Sequence, residues 1–288
     1  NLSGTNSEGF LSLIFQASHA YWVMIGPVPT LDPLEIEFIL RVIGALQFLL
    51  LVQLVPQLRR LFLSERYGGY GDCRAVTRIL MSPWGLAIGV PLWAASAAAL
   101  VIGNFLVISS LVLFIIAQYV FIRQRWTNLS RGCGAPGFVS YWLSVASLAL
   151  SVGLEIGPTA VAAATTLLVL DFALIFLMAG LYKSVSGYRR GHGVLQGLAN
   201  PEWGYAWRFW TRRSKIRWPF KLLDSYGWIG EIVGSVLVLL PWTRSLGALI
   251  IASMFVALVP LVRLGSLTLS VLAMCFLVLL AGEDFISG

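Results

Sequence analysis

Eight long runs of apolar residues, set apart by polar stretches, make up most of this chain: 34–55, 84–102, 104–122, 137–156, 159–182, 222–241, 244–262 and 266–282. Each is 17–24 residues long, which at about 1.5 Å per residue suits a hydrocarbon layer about 30 Å thick. None alternates like a barrel strand, and across lipid an open chain can satisfy its backbone hydrogen bonds only as helix. The pattern predicts an all-α fold, a polytopic membrane bundle of eight transmembrane helices. Phe10–Pro27 is a further apolar stretch, broken by Gln16, Ser18 and His19. It reads as a ninth span, an interfacial helix or the remnant of a targeting segment. The expected organisation is an extracytoplasmic or interfacial segment over 1–33 and a single membrane domain over 34–288. Because the chain opens on Asn1 rather than Met, further sequence is expected upstream.

Charge follows the same layout. Of the 20 Lys and Arg residues, 18 fall in the gaps after the first, third, fifth and seventh runs. Those gaps hold Arg59 to Arg78, Arg123 to Arg131, nine bases from Lys183 to Lys221, and Arg263. All four share one face if every run crosses. The opposite face shows Glu8, Asp32, Glu35, Glu155, Glu283 and Asp284, with Arg244 as its base. Basic residues resist translocation, so the basic face is expected to be cytoplasmic and both ends extracytoplasmic.

Composition agrees, with 58% hydrophobic and 11% charged residues against about 25% charged in a soluble domain. The net charge of +7 does not imply nucleic acid, because the bases follow the topology and interleave with Trp and Tyr. The expected partner is a bilayer with anionic headgroups on the cytoplasmic side. Cys73 and Cys133 fall in cytoplasmic gaps, where thiols stay reduced, and Cys275 lies in the last run. Two histidines, His19 and His192, exclude a multi-haem or copper-cluster protein. His19, near Tyr21 and Trp22, is read either as a pigment or haem ligand or as a boundary hydrogen-bonding group.

Gly103-Asn104 and Gly157-Pro158 are expected to form tight turns. The second run carries Gly85, Gly89 and an Ala94–Ala99 stretch broken by Ser96, and the sixth carries Gly230-x-x-x-Gly234. Such small residues let helices approach closely in lipid. Ser140, Ser144, Ser147 and Ser151 share one helix face, either hydrogen-bonding between helices or lining a polar cavity. Trp203, Trp207 and Trp210 recur at i, i+4 and i+7 among Arg208, Arg212 and Arg213. They describe a short interfacial helix with indoles at headgroup depth.

Three charges fall inside the runs, where an unpaired charge is expensive. Arg41 follows Glu37 by four residues, an i, i+4 pair. Asp171 sits near the bilayer centre and is expected to face the bundle and to be paired, hydrogen-bonded or protonated. Glu231 enters the sixth run about two turns from its cytoplasmic end. Lys183 closes the fifth on that side, so the two can meet as a structural salt bridge or as a functional pair.

The run Phe176-Leu-Met-Ala-Gly-Leu-Tyr-Lys183 resembles a segment of the vitamin K-dependent γ-carboxylases and their bacterial relatives, the HTTM family. In that family an Ala-Gly-x-x-Lys ends a membrane helix and a Trp- and Gly-bearing loop follows. Pro219-Phe-Lys-Leu-Leu223, Thr243-Arg-Ser-Leu-Gly247 and Leu264-Gly265 match further family motifs in order, over roughly residues 170–280. Trp126-Thr-Asn-Leu and Val139-Ser-Tyr141 are weaker upstream echoes. The resemblance implies an intramembrane cavity for a quinone, an isoprenoid or a lipid, in a bacterial inner-membrane protein. It makes Lys183 the candidate base, which works only if burial lowers the pKa of its amine. Where the carboxylases place histidines this chain has Val139 and Phe255, so carboxylase chemistry is not expected. The candidate catalytic residues are Lys183 and Glu231; the candidate ligand contacts are Asp171, Ser140, Ser144, Ser147, Trp203 and Trp207. A non-catalytic accessory or assembly subunit of a larger membrane complex is the alternative.

Overall fold

The structure is a computed structural model that describes residues 31–63, 83–104, 106–117, 136–185, 192–199, 204–212, 218–262 and 266–281. Within these, every one of the eight apolar runs forms a helix. They are α1 (Pro33–Leu63), α2 (Pro83–Ile102), α3 (Leu106–Ala117), α4 (Pro136–Ile156) and α5 (Pro158–Val185), then α8 (Trp218–Leu239), α9 (Arg244–Leu258) and α10 (Ser266–Leu280). Two short helices, α6 (Gly193–Ala199) and α7 (Trp207–Arg212), stand between α5 and α8, and a 3-10 turn (Pro241–Thr243) leads into α9. The described residues contain no strand, only an isolated antiparallel bridge between Gly204 and Val262.

Proline opens α1, α2, α4 and α5, because its fixed φ suits a first turn whose N–H has no helical partner. At α1 the Glu35 carboxylate also accepts the backbone N–H of Asp32 at 2.9 Å, half of a capping box. The two expected turns are present. Gly103 and Gly157 adopt φ of 86° and 125°, backbone that a Cβ disfavours.

The long helices close a ring. Helix α1 packs on α2, α2 on α3, α3 on α4, α4 on α5, α5 on α8, α8 on α9, α9 on α10, and α10 returns to α1. Helix α4 also touches α1 and α10, and its buried Trp142, Leu143, Ala146 and Leu150 join the main core. A smaller cluster of Leu195, Leu198, Phe220 and Val262 fastens α6 to one end. Trp210 joins it edge-on to Phe220, with ring centroids 5.2 Å apart.

Glycine sets the closest crossings. A Cβ on Gly247 would lie 2.7 Å from Val238 N and one on Gly234 2.8 Å from Ile251, so the expected close approach at Gly230 and Gly234 is realised between α8 and α9. Gly44 on α1 meets the Ala97 carbonyl of α2 in the same way, at 2.7 Å. Gly89, expected to pack, faces open space.

The outer faces are as apolar as the core. Ile88 and Leu92 on α2, Ile108 and Ile115 on α3, Leu167 and Leu174 on α5, and Leu249 and Val256 on α9 are all exposed. Soluble monomers rarely show continuous apolar surface on this scale. Among the described residues, three segments are long and apolar enough to cross a membrane: α5, α8, and the 3-10 turn with α9.

Candidate functional site

Gly180 on α5 is buried against α8, where a Cβ would stand 2.7 Å from Ile232 Cγ1 and 3.0 Å from the Trp228 carbonyl oxygen. Having no side chain there lets the two helices close. Almost one turn later, Lys183 donates to Glu231 Oε1 on α8 and forms an ion pair with it. The pair is asymmetric: the Lys183 side chain is 26% exposed and that of Glu231 2%. Oε2 of Glu231 is buried and has no hydrogen-bond partner among the described residues. An orphaned buried acceptor of this kind is rare and calls for a physical explanation.

Asp224 precedes Glu231 by seven residues and so shares its helix face. It is buried, and its two oxygens accept the N–H groups of Gly193 at 2.9 Å and Val194 at 2.8 Å. The carboxylate thus caps α6, where backbone donors are otherwise unpaired and the helix dipole is positive. Lys183 and His192 lie close enough to act on it electrostatically. His192, Asp224, Lys183 and Glu231 therefore line one end of the α5–α8 seam. Among the described residues no three His, Cys, Asp or Glu side chains gather as a metal site.

The other sequence candidates are dispersed. Ser144 and Ser147 are buried and bond back to carbonyls of their own helix, Tyr141 O at 2.6 Å and Ser144 O at 3.0 Å. Ser151 crosses to Ser110 of α3 at 2.9 Å, so the inter-helix reading holds for this hydroxyl. Ser140 lies in α4, but its side chain is outside the described residues, as are Trp203 and His19. Trp207 opens α7 with the Arg208 guanidinium 5.4 Å from its ring. Helix α7 begins at Trp207, and Trp210 packs edge-on against Phe220.

Asp171 corrects an expectation. It was expected to face the bundle; the structure exposes it on the outer side of α5. The Trp142 indole of α4 is directed at it without a hydrogen bond of ordinary geometry. Phe255 of α9 packs edge-on against Phe176 of α5, with ring centroids 5.9 Å apart.

Two functional candidates in the structure escaped the sequence reading. Asp224 could have been found from its i−7 relation to Glu231. Arg244 read only as the base on the acidic side. It is 4% exposed and donates to Val238 O at 3.4 Å and Ala281 O at 3.0 Å, joining the ends of α8 and α10. The neighbouring Thr243 hydroxyl donates to Leu237 O at 2.9 Å. With its helices, seam and apolar outer face, the chain matches no family model, no curated protein and no solved structure.

Proposed function

We propose that this chain is an eight-span HTTM-type protein of a bacterial inner membrane that binds a hydrophobic ligand carrying a hydroxyl: a quinol, an isoprenoid alcohol or a lipid. The observation that carries the reading is Glu231 Oε2, a buried acceptor without a donor among the described residues, beside an ion pair. A ligand hydroxyl placed there would donate to Oε2 while Lys183 holds Oε1, and its apolar tail would follow the lipid-facing seam. The reading includes no carboxylation step, since Phe255 packs on Phe176 where the resemblance would need an imidazole. Organic extraction of the protein from mild detergent, followed by mass spectrometry, tests it. The expected result is a bound quinone, isoprenoid or lipid whose occupancy falls about tenfold when both Lys183→Met and Glu231→Leu are present, the loss of roughly one charge-assisted hydrogen bond. Wild-type protein that yields nothing beyond bulk lipid overturns it.

The topology is a separate proposal, with the basic stretches cytoplasmic. Single cysteines at Arg125 and Arg213 should resist an impermeant thiol reagent in sealed cells and label after lysis, whereas one at Ser287 should label at once. Moving each basic charge outward costs about 2.3 kcal/mol per 100 mV of membrane potential before desolvation. Labelling at position 213 in sealed cells would reverse the orientation. The alternative, an accessory or assembly subunit of a larger membrane complex, is favoured by Asp171 on the outer face of α5.

A further inference from the structure

Asp171 is the fourteenth of the 28 residues of α5, about 20 Å from either end at 1.5 Å per residue. It is exposed, and Leu167, Leu174 and Met178 at i−4, i+3 and i+7 are exposed with it. These four residues form one stripe. The opposite stripe of Leu168, Phe172 and Phe176 is buried in the core, so the direction of Asp171 is fixed by the packing of its own helix. Among the described residues, helix α5 makes its main contacts with α4 and α8, and this third side is exposed. The ion pairs among the described residues are Arg41–Glu37 and Lys183–Glu231; what faces Asp171 is the neutral indole of Trp142, not a cation.

We propose that the outer stripe of α5 around Asp171 docks a transmembrane helix of another protein that carries a Lys or Arg at mid-membrane depth. A carboxylate facing hydrocarbon is unfavourable unless a cation or strong donor reaches it, which is why intramembrane charges nearly always face a partner. The stripe offers both parts of such a contact. Leu167, Leu174 and Met178 supply a ridge at helical spacing for packing, and Asp171 in its middle supplies charge complementarity and register. A second copy docking by twofold symmetry would set Asp171 against its own equivalent, a like-charge contact. The proposal rests on α5 crossing the bilayer and is independent of any ligand at Glu231.

The test uses the full chain in phosphatidylcholine vesicles with two synthetic polyleucine helices of about 20 residues, one with a central Lys and one with Leu in its place. Energy transfer from a donor on the protein should show the Lys helix binding about tenfold more tightly than the Leu helix. Asp171→Leu should abolish that preference, and Asp171→Glu should retain it. The thermal midpoint of the Asp171→Leu protein alone should change little, since what faces the carboxylate within the monomer is the neutral Trp142 indole, without a hydrogen bond of ordinary geometry. Equal binding of the two helices, or a preference that survives Asp171→Leu, overturns the proposal. Self-association of the chain that Asp171→Leu removes would make the occupant a second copy and overturn it as well. A cysteine at Leu174 that labels with an impermeant maleimide in intact vesicles would instead remove the spanning of α5, an outcome separate from docking.

Discussion

Replacing Glu231 with leucine in a chain that keeps Lys183 is expected to destabilise the protein by about 3–5 kcal/mol, the range for removing one partner of a buried ion pair. The Glu231 side chain is 2% exposed, so its removal leaves no solvent to compensate the amine at that depth. The partial exposure of Lys183, 26%, gives its ammonium a route toward the surface along its own stem, and the loss should fall at the lower end of the range. Adding Lys183→Met should recover most of it, because an apolar pair of similar volume often replaces a buried ion pair without net cost. The reverse single variant, Lys183→Met alone, leaves an anion buried and should resemble Glu231→Leu. Denaturant midpoints in one detergent give the three values, and the double-mutant cycle gives the coupling. Losses that simply add would show that the pair contributes no coupling, and the seam would then be held by Gly180 packing alone.

Arg244→Met should lower stability by about 2 kcal/mol or more, chiefly from the charge-assisted hydrogen bond to Ala281 O at 3.0 Å, with a weaker contribution from the long contact to Val238 O at 3.4 Å. Arg244 reaches Val238 O near the end of α8 and Ala281 O just after α10. The last carbonyls of a helix have no partner within it and lie at the negative end of its dipole. One guanidinium therefore satisfies two helix ends and ties together helices that are neighbours of α9 rather than of each other. Lysine has one donor centre on a flexible stem and cannot present the planar fork, so Arg244→Lys should recover less than half of the loss. Faster amide exchange at the end of α10 in Arg244→Met would locate the damage. An Arg244→Lys protein as stable as the parent would show that charge, rather than the two-point connection, is what matters.

Several local features were legible because they depend on near neighbours in the chain. The Arg41–Glu37 pair, at 3.6 Å, follows from i, i+4 spacing. The turns at Gly103 and Gly157 follow from glycine's freedom at positive φ. The meeting of Lys183 and Glu231 was legible from a different source, since both lie near one end of the span layout and a charge at that depth needs a partner. Asp224 was not legible as a cap, because the helix it caps is short and joined to it only through space. Gly89 and Asp171 were misplaced for a common reason. A helix that is apolar on every side carries no amphipathic signal, so periodicity cannot say which face turns inward.

Among the described residues, the sequence by itself determined that each long apolar run is helical and where the turns at Gly103 and Gly157 fall, because run length, proline placement and glycine dihedrals act within a few residues. Only the tertiary structure decided the closed ring, the burial of the Glu231 carboxylate, the two-helix cap of Arg244 and the outward direction of Asp171. Each of these depends on which faces of uniformly apolar helices meet. Side-chain shape and glycine-permitted approach make that choice at long range, where the pattern of apolar and polar residues is silent.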